Sequence, residues 1–237
     1  MKFTLSSDDL LFSAKKKADL LIVLQQQNQT NPAQAAKPGK TGVQPVLVQA
    51  IQAGHFVAEK GKALALYQAT GWAAPRVIVL GVGAGAAADV REAVEKAVRE
   101  HGRDVATVAI AFAQNASAQQ LNVAMQAAAM AGYVYSHTKP SAKPKLQQVV
   151  VSVPNTAECR TAFNQAQAVV GGMALAREWA NRPGNYATPT QLGEVAKEIV
   201  RQANAGKQKK VFACEVLDRA KVEKLGMGAF LSVAKGT

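Results

Sequence analysis

The sequence predicts an α/β fold: a mainly parallel sheet with helices on both faces, followed by the start of a second α/β domain. Short runs of Val, Ile and Leu alternate with stretches whose apolar residues recur at helical spacing. The composition is 49% hydrophobic but only 5% aromatic, and it is rich in alanine. That balance favours closely packed helices over an all-β fold. The connections are mostly short, and strands joined through helices pair in parallel with both faces covered.

The elements follow in order. Lys2 to Leu5 alternates polar and apolar residues and reads as a first strand, and Ala18 to Leu24 reads as a second. Gln25 to Gly42 is rich in Gln, Asn, Pro, Gly and Lys and reads as an exposed loop. Val46, Leu47, Ala50 and Ile51 mark a short helix that Gly54 ends. Ala63–Tyr67 and Arg76–Leu80 are strands, and Asp89–Arg99 is a helix with Val90, Val94, Ala97 and Val98 inward. A strand at Val105–Phe112, a helix at Leu121–Tyr135 and a strand at Leu146–Val153 complete the alternation.

Asn155 and Glu158 form a capping box for a long helix, Thr156 to Ala180, with Phe163, Ala166, Val170, Met173 and Ala174 on one stripe. Gly171-Gly172 costs this helix about 1 kcal/mol per glycine relative to alanine, and close approach of another backbone would compensate. Pro183 then bars further helix. Thr188 reads as an N-cap, Pro189 as the first helical residue and Gln191 as the third, a second capping box with proline where helix starts favour it. Leu192, Val195, Ala196 and Ile199 follow at helical spacing and predict a buried face. A strand Lys210–Leu217, a short helix capped by Asp218 and a last strand Ala229–Ala234 are expected next. A strand, a helix and a strand cannot bury both faces of a sheet, so this second domain reads as incomplete. The expected organisation is a domain over 1–154, a helix and turn over 155–185, and the start of another domain over 186–237.

The 237 residues carry a formal charge of +12, which attracts polyanions. Tight clusters stand at Lys15-Lys16-Lys17 and at Lys207, Lys209 and Lys210. Neither is interleaved with aromatics, so no stacking platform for single-stranded nucleic acid is expected. A solvated face accounts for both. Cys159 and Cys214 lie far apart and read as buried thiols. No apolar run approaches the ~20 residues of a membrane span. Lys2 is soon followed by Ser6, Ser7, Asp8 and Asp9 in place of a signal-peptide core, so a cytoplasmic location is expected.

Gly81-Val82-Gly83-Ala84-Gly85 follows a strand and precedes a helix, where free N–H groups could face a phosphate. Position 86 is Ala, so the third glycine of G-x-G-x-x-G is missing, and Asp104 precedes its strand instead of ending it. A tight strand-to-helix turn is the competing reading. His55, His101 and His137 have no second ligand at metal spacing, and no G-x-S-x-G elbow frames a serine. Asp8-Asp9 and Asp218 with Glu223 are explained by a cap and a solvated face.

Asn181, Pro183, Asn185, Thr188, Pro189 and Leu192, together with Leu225-Gly226-Met227-Gly228 through Gly236, make a pair of motifs that resembles the leucyl aminopeptidase (cytosol aminopeptidase) family. The resemblance implies a macro-like N-terminal domain, an interdomain helix and the opening of a catalytic domain. It implies release of N-terminal, leucine-like residues from peptides by two divalent metal ions, manganese or zinc, that polarise the scissile carbonyl and activate water. The family's metal ligands come from a Gly-Lys-Gly-x-Thr-Phe-Asp segment and an Asn-Thr-Asp-Ala-Glu-Gly-Arg segment, and neither occurs here. Lys235-Gly236-Thr237 belongs to the earlier motif. No catalytic, metal-binding or cofactor-binding residue is therefore assigned, and this chain alone is expected to be inactive and to bind no metal. The implied partners are peptide substrates and a homo-hexamer, with no membrane. A non-enzymatic DNA-binding or oligomerisation module using the basic surface is the alternative.

Overall fold

The computed structural model describes residues 1–7, 9–12, 17–27, 42–67, 72–139 and 141–233. Asp8, Lys15, Lys16, most of the expected loop over 25–42 and residues 234–237, including Lys235-Gly236-Thr237, lie outside them. The chain divides into two compact units, Met1–Glu178 and Trp179–Thr237.

The first unit is built on strands β1 (Lys2–Ser6), β2 (Leu20–Gln25), β3 (Ala63–Tyr67), β4 (Arg76–Gly81), β5 (Thr107–Phe112) and β6 (Gln148–Ser152). They form one sheet in the order β1-β6-β5-β2-β4-β3. Every pairing is parallel except β3 with β4. Ile22 at the centre faces Ile78 on one side and Ile110 on the other. Helices α1 (Val43–Gln52), α2 (Ala87–Ala97), α3 (Ala118–Ala131) and α4 (Thr156–Ala180) complete the alternation.

Successive strand side chains point to opposite faces, so each fully buried strand feeds two cores. Leu20, Ile22, Leu24, Ile78, Val108, Ile110 and Val149 pack with α2, α3 and the first half of α4. Leu21, Val23, Val77, Val79, Ala109 and Ala111 pack with Leu47 of α1, Phe56 and Ala73. Each such Leu, Ile or Val removed from water contributes about 1.5–3 kcal/mol. The predicted α/β class and mainly parallel sheet are therefore present.

Several local expectations are corrected. The helix expected to close at Arg99 leaves α-geometry after Ala97 and runs on as one π-helical turn, Val98–Gly102. The Leu121–Tyr135 helix starts earlier and stops earlier. Ser117 caps it through Gln120 N, the Gln120 side chain returns to Ser117 N, and it ends before Gly132. Asn155 does cap α4, accepting from Ala157 N and Glu158 N. Glu158 takes its bond from the Asn155 side-chain amide, where the capping box would use the backbone. No backbone closes on Gly171 or Gly172: an added Cβ would meet nothing within 4 Å at either. Cys159 and Cys214 are free thiols of intermediate exposure, so neither is the buried thiol expected.

The second unit holds α5 (Pro189–Asn204), α6 (Arg219–Lys224) and α7 (Gly228–Ser232). Both strands expected here are overturned. Lys210–Leu217 forms no ladder among the described residues, and Gly228–Ser232 is a helical turn. A strand needs a partner for its N–H and C=O groups, and no strand of this unit among the described residues offers one. Local bonds substitute: Ser232 Oγ donates to the Ala229 carbonyl at 2.7 Å. The apolar face of α5 is not buried either. Leu192 and Ile199 are exposed, and Val195 and Ala196 are only half-buried.

Candidate functional site

The motif-bearing turn lies in the second unit. Pro183 ends the path of α4, and its carbonyl accepts from Tyr186 N at 2.8 Å and Ala187 N at 3.0 Å, which folds Pro183–Ala187 into one tight turn. Thr188 Oγ1 then accepts from Gln191 N, and Pro189 opens α5 as the cap pattern requires. The Arg182 guanidinium stacks on the Trp179 ring, 3.9 Å from its centroid. Asn181, Pro183, Asn185 and Tyr186 stay exposed. The turn is thus a preformed, solvent-facing corner carrying amide side chains and an aromatic ring, with no acid or base at its centre.

The second motif follows a segment that one side chain fastens. Asn204 Oδ1 accepts from Val211 N at 2.9 Å and Phe212 N at 3.1 Å, and Asn204 Nδ2 donates to the Phe212 carbonyl at 2.8 Å. Asn204 thereby offers the segment what a neighbouring strand would. Asp218 caps α6 through Lys221 N, and Gly226 turns the chain in the left-handed region at φ +67°. Lys207 lies 5.3 Å from the Phe212 ring, an aromatic contact that spacing alone did not reveal. Val211, Phe212 and Phe230 are more than half exposed.

In the first unit, the strands' carboxyl ends gather around Gly81–Gly85. Open α/β sheets place ligands at such a crevice. Here the crevice holds glutamines. Gln120 Nε2 donates to the Gly85 carbonyl at 2.6 Å, Gln26 N donates to Gln114 Oε1, and Gln25 Nε2 donates to the Gln26 carbonyl. A Cβ on Gly85, at φ +81°, would sit 2.7 Å from both the Gln26 and Gln120 side chains. Gly81 is as tightly packed, with the Glu59 carbonyl 2.2 Å from such a Cβ. The glycines serve close packing, which favours the tight-turn reading. The glutamine cluster was invisible to motif reasoning because glutamines at strand ends read as ordinary loop polarity.

His55 and His137 are exposed, and His101 Nε2 lies 3.8 Å from Glu100 Oε2 on the π-turn. Burial pushes the Cys159 thiol above its ordinary range, and the Glu158 charge adds to that. A divalent ion needs several converging oxygen or nitrogen donors. Among the described residues, no group of three or more His, Cys, Asp and Glu is placed to hold a metal ion. The described residues do not form the metal pair that the resemblance implies. Among the described residues, no helix is long and apolar enough to cross a membrane.

With this geometry in place, comparisons with known proteins divide the chain into two matched regions. Residues 20–142 match the cytosol aminopeptidase family, N-terminal domain, and residues 174–237 match the cytosol aminopeptidase family, catalytic domain. A probable cytosol aminopeptidase of Albidiferax ferrireducens is 40% identical over 239 residues, covering 100% of this chain and 47% of its own length. One from an Acidovorax species is 37% identical, with 100% and 45% covered. The chain spans about half the length of the curated relatives it matches. Among solved structures, a mutant tomato leucine aminopeptidase aligns with TM-score 0.69 at 21% identity, over 99% of this chain and 48% of that one. The bottromycin maturation enzyme BotP, in complex with Mn, aligns with TM-score 0.61 at 22% identity, over 89% and 40%. These two likenesses establish a shared fold.

Proposed function

The chain belongs to the cytosol aminopeptidase family, and on that premise we propose that it is the N-terminal part of a metal-dependent leucyl aminopeptidase. The observation that carries this reading is the order of the two family regions along one chain, N-terminal domain before catalytic domain, with the Asn181–Leu192 corner inside the second. Residues 1–154 serve as the N-terminal domain, 155–185 as the connecting helix and turn, and 186–237 as the opening of the catalytic domain.

Two divalent ions, manganese or zinc, would supply Lewis acidity toward the peptide carbonyl and a nucleophilic water, and no residue of this chain is assigned to hold them. The manganese of the similarly folded BotP complex supports the divalent-metal part. The ligand-bearing segments of the family do not occur in these residues. What this chain contributes is the scaffold: a mainly parallel sheet and a capped corner that starts the catalytic domain. The complete enzyme works in the cytoplasm as a homo-hexamer on peptide N-termini.

The test compares two polypeptides from the source organism. One is this chain and the other is the longest product of the same gene, with its intact mass measured from cells. Release of leucine from leucyl-p-nitroanilide is followed with added Mn²⁺ or Zn²⁺. The expected result is turnover by a product about twice this mass, abolished by a chelator, and none by this chain. Metal-dependent turnover by the 237-residue chain would overturn the assignment of the metal site to other residues. A longer product that fails to hydrolyse the substrate would overturn the aminopeptidase reading.

A further inference from the structure

We propose that the outer edge of β3 pairs, antiparallel and across a two-fold axis, with β3 of a second copy of this chain, each copy seating its Tyr67 ring over the other's Ala63. β3 ends the sheet: β4 lies on one side, and among the described residues no strand lies on the other. Gly81 N donates to the Lys62 carbonyl at 2.9 Å. Bonded pairs alternate along an antiparallel ladder, so Leu64 with Val79 and Leu66 with Val77 exchange the bonds. Ala63, Ala65 and Tyr67 therefore turn their N–H and C=O groups outward, where no described backbone group meets them. Edge strands are normally blunted by lysine, proline or a bulge. Ala63–Tyr67 contains no charge and no proline, and its register with β4 is unbroken.

The side chains single out the occupant. Residues directly opposite in a ladder share a face. Leu64 and Leu66, opposite Val79 and Val77, pack into the core on one side of the sheet. Ala63, Ala65 and Tyr67 lie on the other side with Leu80, Ile78 and Arg76. There Ala63, Ile78 and Leu80 of the sheet and Ala93 and Ala97 of α2 line an open groove. Its Lys60, Lys62 and Lys96 are balanced by Asp89, Glu92 and Glu100, so it suits a neutral occupant. Tyr67, on the same face, is 61% exposed. Pairing centred on Ala65 sets Ala63 opposite the second copy's Tyr67, and brings that ring to the face of the groove. A two-fold contact needs a self-complementary surface, and this strand carries both the ring and the space for it. Every outward N–H and C=O of Ala63, Ala65 and Tyr67 then finds a partner. The two copies of Lys62 stand about 20 Å apart, at about 3.4 Å per residue, which exceeds the screening length of about 8 Å. Arg76, at the Tyr67 end, is already engaged by Asp104 at 3.5 Å. An extended peptide from another protein would satisfy the same backbone groups but gives Tyr67 no role. The inference concerns the first unit alone and goes beyond the aminopeptidase reading.

The experiment uses the full chain carrying Phe212→Ser and Phe230→Ser, which suppresses association through the exposed rings of the second unit. Sedimentation equilibrium from roughly 1 μM to 1 mM is read beside amide hydrogen exchange. The expected result is a monomer–dimer equilibrium in which the Ala63, Ala65 and Tyr67 amides gain protection only as the dimer forms. Ala65→Pro removes an outward N–H that β4 does not use, a change an edge strand tolerates. Tyr67→Ser removes the ring. Each should weaken dimerisation at least about tenfold, with the Leu64 and Leu66 amides still protected. Tyr67→Ser, at an exposed side chain, keeps the test decisive should Ala65→Pro disturb β3. A chain that stays monomeric over the whole range, a dimer unweakened by Tyr67→Ser, or a dimer whose Ala65 amide exchanges freely would overturn the proposal. Protection of Ala65 at every concentration would overturn it too, by giving the edge to a segment of the same chain. None of these readouts needs peptidase activity, so failure here is distinct from failure of the aminopeptidase reading.

Discussion

Gln120 on α3 and Gly85 in the turn after β4 are locked together, the Gln120 amide donating to the Gly85 carbonyl at 2.6 Å from a side chain that also closes the α3 capping box. One residue thus fastens a helix start to the glycine turn at the strands' carboxyl ends. Gly85 is in the left-handed region, so alanine there is strained before it meets the glutamines. Gly85→Ala should cost about 1–3 kcal/mol. Gln120→Ala should cost about 1–2 kcal/mol through the lost buried bond. Urea unfolding of the first unit measures both. The double variant should cost less than the sum, because removing Gln120 also removes one of the two clashing groups. Strict additivity would refute the coupling.

Asn204 fixes a segment that has no strand beside it. Asn204→Ala should abolish the hydrogen-exchange protection of the Val211 and Phe212 amides while leaving β2 and β5 fully protected. Retained protection at Val211 would mean that another group satisfies those amides.

Glu198 on α5 accepts from Arg201 Nε at 2.5 Å and from Gln202 Nε2 at 2.6 Å. The Arg201 bond first, then the Gln202 bond, holds the Glu198 carboxyl down at about 2, from an ordinary 4.5. A carboxyl whose folded pKa is lowered stabilises the fold above its unfolded pKa and loses that contribution as pH falls. The contribution is therefore complete above pH 4.5 and fades toward pH 2. A carbon-13 carboxyl titration should show this midpoint, and Arg201→Ala should move it up toward 4.5. A midpoint unmoved in Arg201→Ala would assign the shift to something else.

The second unit displays apolar side chains to solvent, with Phe230 at 66% and Phe212 at 51% exposure. Exposed apolar surface promotes association. The isolated chain should bind a hydrophobic dye and self-associate with rising concentration in sedimentation. Phe212→Ser combined with Phe230→Ser should reduce both. Dye binding that persists undiminished would locate the apolar surface elsewhere.

The first unit is legible because its central strands, β2, β4 and β5, are buried on both faces. Runs such as Leu20–Leu24 and Val149–Val151 carry a signal that survives any neighbour, and α3 and α4 carry their own side-chain caps, at Ser117 and Asn155. The second unit was not legible in the same way. Lys210–Leu217 has strand composition, but a ladder requires a partner that composition cannot supply, and the Ala229 stretch closes its bonds locally. The amphipathic spacing of α5 predicts a buried face that is not there, because spacing tells which face is apolar and not what covers it. The glutamine cluster is illegible for a different reason. It joins residues distant in sequence, and Gln26 with Gln120 has no local pattern.

The pairing of β1 with β6 sets Lys2 opposite Gln148 and Ser6 opposite Ser152, in parallel. The first strand of this sheet in chain order is therefore completed by the last. At about 5–20 residues per second of synthesis, β1 waits on the order of ten seconds with its apolar residues, Phe3 and Leu5, uncovered. Until then the emerging chain can assemble β2, β4, β3 and β5 without it, because those strands neighbour one another in the sheet. The edge at β1 becomes the final closure of a vectorial assembly, high in contact order and slow to nucleate. Nascent chains stalled before residue 148 should thus hold an ordered sheet centre and a protease-sensitive N-terminus.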